Sequence, residues 1–171
     1  MDVGLHLFDL VRHFMGDVAS VSCTTQRLNP RVRGEDCFTA LLLHTSGVTS
    51  VCDCSFYSRY VPEPFPNTAA LVEGDRGTLE LDRQNRLTLH SPSGAVVTDE
   101  DPPVPPWGAA PWHCVQDGVQ AFQAHAIDVM NGAAAPQPSG AHNLETLALA
   151  LAAYEAAETA ATVDPRALSA P

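Results

Sequence analysis

The chain has 171 residues and a mass of 18.2 kDa, with 45% apolar residues, enough for one compact domain with its own core. Twenty acidic residues against nine basic ones give a formal charge of −11, which speaks against nucleic acid and anionic lipid as partners, since both need clustered positive charge. No apolar run approaches the ~18 residues of a membrane span and no signal-peptide pattern opens the chain, so a cytoplasmic protein is expected.

Residues 2–15 carry Val3, Leu7, Leu10, Val11, Phe14 and Met15 at helical spacing, and Gly16 stops the run. Strands are then predicted at Val18–Thr25, Cys37–Leu43 and Val48–Tyr57, with Thr45-Ser46-Gly47 as the turn between the last two. Shorter strands follow at Thr68–Glu73, Gly77–Leu81, Arg86–His90 and Ala95–Thr98, joined by Gly, Asp, Asn and Ser turns. In the third of these, Leu87 and Leu89 face one way while Arg86, Thr88 and His90 face the other. Phe38–Leu43 is apolar on both faces, so it calls for cover on both sides: a helical layer on one and a second subunit on the other.

A proline-rich connection runs from Pro102 to Pro111. Two helices close the chain. The first, over 113–130, aligns Val115, Val119, Phe122, Ala126, Val129 and Met130. The second, over 141–161, is alanine-rich, with Leu144, Leu147, Leu151 and Tyr154 as its expected ridge and Ser139 available as its cap. A helix, a run of antiparallel strands and two helices make an α+β fold, a single domain over 1–171 built on an open, mainly antiparallel sheet with helices on one face.

The most pointed chemical pattern lies on the first helix, where Asp2, His6, Asp9 and His13 fall within a stripe about 60° wide. Such spacing admits three readings. It can be a solvated polar face, an Asp–His pair in which the carboxylate fixes the imidazole tautomer for proton transfer, or two ligands of a metal that lacks a third and fourth. Cys52 and Cys54 share one face of a strand, with Cys37 on the strand before; the spacing is not a zinc knuckle and reads as core packing. Trp112, His113 and His125 read as packing or surface residues. Five cysteines without disulfide-like spacing fit a reducing compartment. All nine basic residues are arginine, so no lysine can act as nucleophile, acid or base. No Gly-x-Gly-x-x-Gly and no Gly-x-Ser-x-Gly occurs, and Gly74 and Gly77 bracket a hairpin turn.

Asp2-Val3-Gly4-Leu5-His6-Leu7-Phe8-Asp9, followed by Gly16, resembles a helix of the glucose–fructose oxidoreductase, inositol dehydrogenase and rhizopine-catabolism (Gfo/Idh/MocA-like) family. Three later segments agree in order. Val72-Glu73-Gly74-Asp75-Arg76-Gly77-Thr78-Leu79 is similar to the family's two-glycine hairpin. Ser139-Gly140 leading to Leu144 resembles the start of its last long helix, and Ala153-Tyr154-Glu155-Ala156-Ala157 with Val163 resembles that helix's end.

The resemblance covers only the family's second domain, the α+β one that carries part of the substrate pocket and commonly builds the oligomer. It implies a fragment or truncated form of an NAD(P)-dependent oxidoreductase acting on a sugar, polyol or related hydroxy compound. In it His6 exchanges a proton with the substrate hydroxyl and Asp2 orients His6. NAD or NADP belongs to a full-length relative, and none is expected on this chain alone; no metal is expected. The implied partners are a small sugar-like substrate, a separate nucleotide-binding half and a second copy through the sheet face. The family's lysine has no counterpart here. The alternative is a stand-alone binding or dimerisation module that kept the fold and lost the chemistry.

Overall fold

Gly4, Phe8 and Arg12 recur every four residues, and this row, not the wider arc read from the sequence, is the buried face of α1 (Asp2–Met15). Val3, Leu10 and Phe14 of the predicted arc stay exposed. The computed structural model describes residues 2–62, 65 and 67–168, the side chain of Asp2 excepted. α1 ends at Gly16, whose φ of 84° lies in the left-handed region and whose N–H returns to the carbonyl of Arg12 at 2.9 Å.

Among the described residues seven strands follow: β1 (Val18–Gln26), β2 (Cys37–His44), β3 (Thr49–Ser55), β4 (Ala70–Gly74), β5 (Gly77–Leu81), β6 (Arg86–Ser91) and β7 (Gly94–Asp99). Two helices come after them, α2 (His113–Met130) and α3 (Gly140–Thr159). Every pairing between named strands is antiparallel, so the expected α+β class holds. The strands divide between two sheets, ordered β1-β2-β3 and β4-β5-β6-β7. The chain forms two compact units, Met1–Ser58 with Gln137–Pro171, and Arg59–Pro136.

In the first unit the core lies between the β1-β2-β3 sheet and the two helices α1 and α3. Period-2 alternation sends Phe38, Ala40, Leu42 and His44 inward, and Leu41 and Leu43 outward. Leu42 is 0% exposed and Leu41 50%, so the two-sided strand does leave an open face. On that face Leu41, Leu43 and Val51 sit among Ser22, Thr24, Thr39 and Thr49, and the Thr39 hydroxyl donates to Asp53 at 2.6 Å. His44 is a core histidine, held at Nδ1 by the Gly16 carbonyl (2.7 Å) and at Nε2 by the Ser50 hydroxyl (2.9 Å). It fastens the end of α1 to the end of β2.

α3 corrects the sequence reading. Ser139 caps it as expected, accepting from the His142 N–H at 3.1 Å. The buried face, however, is Thr146, Ala148, Leu149, Ala150, Ala152, Ala153 and Ala156, while Leu144, Leu147 and Leu151 stay exposed. Alanine wins this face because a helix of small side chains lies closer to the sheet and to α1 than a leucine ridge allows. Tyr154, on the edge of that face, donates to Glu35 at 2.6 Å, and burial together with that bond pushes its phenol up to about 12.

In the second unit the Gly74–Gly77 turn closes β4 onto β5. A Cβ at Gly77 would meet the His90 carbonyl oxygen at 2.2 Å, which is why only glycine fits that crossing. The first turn of α2 is pinned. His113 Nε2 bonds Asp101 at 3.0 Å, and Asn85 Nδ2 reaches Asp101 at 2.8 Å and the Cys114 sulfur at 3.3 Å. The bonds from His113 and Asn85 hold Asp101 below the usual carboxylate range. His113 is thus a packing residue, as read; the predicted apolar stripe of α2 keeps Val115, Val119, Phe122 and Met130 exposed.

Candidate functional site

α1 is a helix with two different long sides. Phe8 lies wholly buried against Phe38, ring centroids 5.5 Å apart, and Leu5, Leu7 and Val11 flank it in the core. About 150° around the axis, His6 and His13 are exposed. Burial of the Phe8 side therefore turns the histidine side toward solvent. Asp2 opens the helix, and its side chain lies outside the described residues, so the expected Asp2–His6 contact has no geometry to report.

Asp9 departs from the stripe. Its carboxylate accepts from the Thr146 hydroxyl at 2.8 Å and stands 3.6 Å from His142 Nδ1, both on α3. The four-residue stripe thus splits: Asp9 ties α1 to α3, while His6 and His13 remain outside.

The residue that sequence reasoning missed is Arg12. It is 5% exposed, and its guanidinium donates to the Thr146 hydroxyl (2.7 Å), the His142 carbonyl (3.1 Å), Asp17 (3.1 Å) and Glu145. One buried cation thereby fixes the pitch of α1 against α3 and against the turn after α1. The spacing of Gly4, Phe8 and Arg12 on one face was the available signal; an arginine there reads as surface until its acceptors on α3, at least 130 residues away, are known. A cavity of about 240 Å³ lies beside it, lined by Arg12, Asp17, Thr45, Glu145, Leu149 and Arg166, among others. Arg166 is paired to Asp164 at 2.6 Å, and Arg12 is spent on its own acceptors, so this cavity offers no free charge for a substrate anion.

Arg12→Met keeps the length and removes the donors. Loss of several hydrogen bonds to charged and neutral acceptors is expected to cost about 2–3 kcal/mol. That is less than the ~3–5 kcal/mol of a fully buried broken pair, because Asp17 and Glu145 stay in contact with water. Urea unfolding of wild type and variant side by side measures it; an unchanged midpoint contradicts the clamp.

Cys52 and Cys54 pack against the core as expected, whereas Cys37 lies on the outer face of the sheet, 3.2 Å from the Ser55 hydroxyl. Cys23, Ala40 and Cys52 line up across the first sheet on its inner face, and burial pushes the Cys52 thiol up to about 11, leaving it protonated and unreactive near neutral pH. Among the described residues no three His, Cys, Asp or Glu side chains converge on a point that could hold a metal ion. Nor do they fit a dinucleotide. The two-glycine turn closes a hairpin instead of opening a helix, and no parallel strand–helix unit is present among them. None of the described helices is long and apolar enough to cross a membrane.

Residues 1–80 match the family described as the GFO/IDH/MocA C-terminal domain. The chain is 40% identical over 163 residues to a D-apiose dehydrogenase of Rhizobium rhizogenes, covering 95% of this chain and 47% of that protein. It is 41% identical over 169 residues to a D-apiose dehydrogenase of Paraburkholderia graminis, covering 99% and 45%. A crystal structure of an oxidoreductase from Agrobacterium radiobacter, in complex with NAD+, L-tartaric acid and magnesium, superposes with a TM-score of 0.93. It shares 40% identity, over 98% of this chain and 49% of that one. The chain spans about half the length of the relatives it matches.

Proposed function

For a chain that belongs to the GFO/IDH/MocA family through its C-terminal domain, we propose the role of substrate-binding and oligomerisation half of an NAD(P)-dependent oxidoreductase. Its substrate is a sugar, polyol or related hydroxy compound, and its 171 residues act as one such domain. The observation that carries the reading is the presentation of His6: exposed on the outer side of a helix whose inner side is locked by Phe8 and Arg12. The Rhizobium and Paraburkholderia relatives, both D-apiose dehydrogenases, support the sugar class, and the Agrobacterium relative, solved with NAD+, supports the cofactor class.

The chemistry asked of this chain is limited. His6 accepts the hydroxyl proton as the substrate carbon is oxidised, and Asp2, four residues before it, orients the imidazole. The nucleotide, when bound to its own half, supplies the hydride acceptor. The surrounding helix does the positioning: proton transfer needs the imidazole within about 3 Å of the hydroxyl, and a helix clamped on its far side holds that distance better than a loop. An open sheet face buried against a second copy completes the proposed assembly.

The test has two arms. The 171-residue chain by itself is expected to leave NADH fluorescence unchanged, because it lacks a glycine-rich phosphate turn. Supplied with the nucleotide-binding half of a 40% identical relative, it is expected to bind NADH and oxidise a sugar or polyol. Micromolar NADH binding by the chain alone overturns the division of labour, and a folded, NADH-binding complex with no dehydrogenase activity favours a module that has lost the chemistry.

A further inference from the structure

The cavity beside Arg12 has a lining of two kinds. Apart from Arg12 itself, its buried part is apolar and includes Ala148, Leu149 and Pro165, while Asp17, Thr45 and Glu145 are exposed and form a polar rim. The Thr45 N–H donates to the Asp17 carbonyl at 2.8 Å, which holds these two rim residues side by side. Arg12 donates to one oxygen of each rim carboxylate, Oδ1 of Asp17 and Oε2 of Glu145. Among the described residues the second oxygens, Asp17 Oδ2 and Glu145 Oε1, and the Thr45 hydroxyl have no hydrogen-bond partner. Three open acceptors thus border one apolar-floored cavity.

We propose that this cavity binds a neutral polyhydroxy compound of the size of a single sugar, at a place separate from the one His6 serves. The inference takes its sugar class from the reading of the chain as half of a sugar dehydrogenase; the site itself comes from the cavity. Charge narrows the ligand. The lining carries two guanidiniums and two carboxylates. Arg12 bonds both carboxylates and Arg166 is held by Asp164, so little net field is left to draw an anion or a cation. What the rim offers instead is acceptors, and a polyol is a neutral ligand rich in donors. Its hydroxyls meet Asp17, Glu145 and Thr45, and bonds to a carboxylate are the stronger kind. Its C–H groups lie on Leu149 and Pro165. At about 240 Å³ the cavity falls below the ~300–1,000 Å³ of sites for larger ligands, which leaves room for one small ring.

His6 does not line the cavity. It precedes Arg12 by about 9 Å along the axis and points to another side of α1. The occupant reaches from the turn after α1 to the first half of α3, the segments that Arg12 already joins, and adds a second bridge across that joint. With few hydrogen bonds at an open rim, a dissociation constant of about 1–10 mM is expected.

Titration of the isotopically labelled full chain with xylitol and with D-xylose, each to about 100 mM, tests it by NMR. Saturating shifts of the Asp17, Thr45 and Glu145 amides are expected, and the affinity should not change between about 20 and about 200 mM salt, since the ligand is neutral. Thr45→Val removes one hydroxyl and keeps the shape; it is expected to weaken binding about 3–10-fold. Ala148→Leu fills the cavity from its buried side and is expected to abolish saturation, with circular dichroism as the check on its fold. His6→Ala is expected to leave the affinity as it is. The absence of a saturating shift overturns the site, as does equal affinity in wild type and Thr45→Val, or in wild type and a folded Ala148→Leu. Shifts that centre on the exposed side of α1 and vanish in His6→Ala also overturn it, and leave the sugar reading standing. A cavity that binds both probes, while the chain joined to a nucleotide-binding half oxidises no sugar, supports the site and sinks that reading instead.

Discussion

His6→Ala is expected to lower the dehydrogenase rate of the chain, joined to a relative's nucleotide-binding half, by about 10²–10⁴-fold. That is the usual worth of a positioned proton acceptor. The loss falls on kcat and on kcat/KM together, because the proton moves only in the transition state and substrate binding does not need it. His13→Ala is the internal control. It lies on the same exposed side of α1 two turns on, so it reports any general effect of removing an outward imidazole, and a change of a few-fold at most is expected. Asp2→Asn should fall between the two, since an amide keeps the shape but stabilises the imidazolium less. Activity equal to wild type in a folded, NADH-binding His6→Ala complex would falsify the catalytic reading and leave His6 as part of a solvated polar side.

The largest effect on stability is expected at Phe8, on the other side of the same helix. Its ring is 0% exposed and packs at a tilt of 53° against Phe38 in the contact of α1 with the core. Phe8→Ala removes a buried ring and leaves a cavity among rigid neighbours, a change that costs about 3–5 kcal/mol. For a chain of this size each kcal/mol moves the melting temperature by about 2–4 °C, so a fall of roughly 10 °C is expected. Phe8→Leu keeps most of the volume and should cost about 1.5 kcal/mol or less. Calorimetry of the three proteins decides the matter. A Phe8→Ala protein melting within 2 °C of wild type would mean that α1 is not docked as described, and the presentation of His6 would lose its basis. The two predictions are linked, because the same helix buries one side to hold the other steady.

How much of this was readable in advance depends on how far apart the interacting residues lie. The elements were legible because their causes are local. Four-residue spacing made α1, alternation made β6, and Asp75-Arg76 between two glycines made the β4–β5 turn. Ser139 three residues before His142 made the cap of α3. The exposed place of His6 was legible for the same reason, as it follows from the turn angle of a helix once one side is apolar. The alternation of β2 likewise carries His44 inward once the strand is extended by one residue beyond Leu43.

Other features belong to the tertiary structure alone. Which side of α3 is buried depends on how closely it approaches the sheet and α1, and a stripe of leucines lost to a stripe of alanines because packing rewards close approach as well as apolar area. The division of seven strands into two sheets has no local signature, because pairing between β3 and β4 is a long-range choice. Arg12 is the plainest case. Alone in the sequence it is one more charged residue on an amphipathic helix, and burying it becomes tolerable only when Thr146, Glu145, the His142 carbonyl and Asp17 surround it. Local sequence determines which conformation a segment adopts, since that energy is settled among neighbours. Which side of it is buried, and beside what, is settled by partners that only the folded chain brings near.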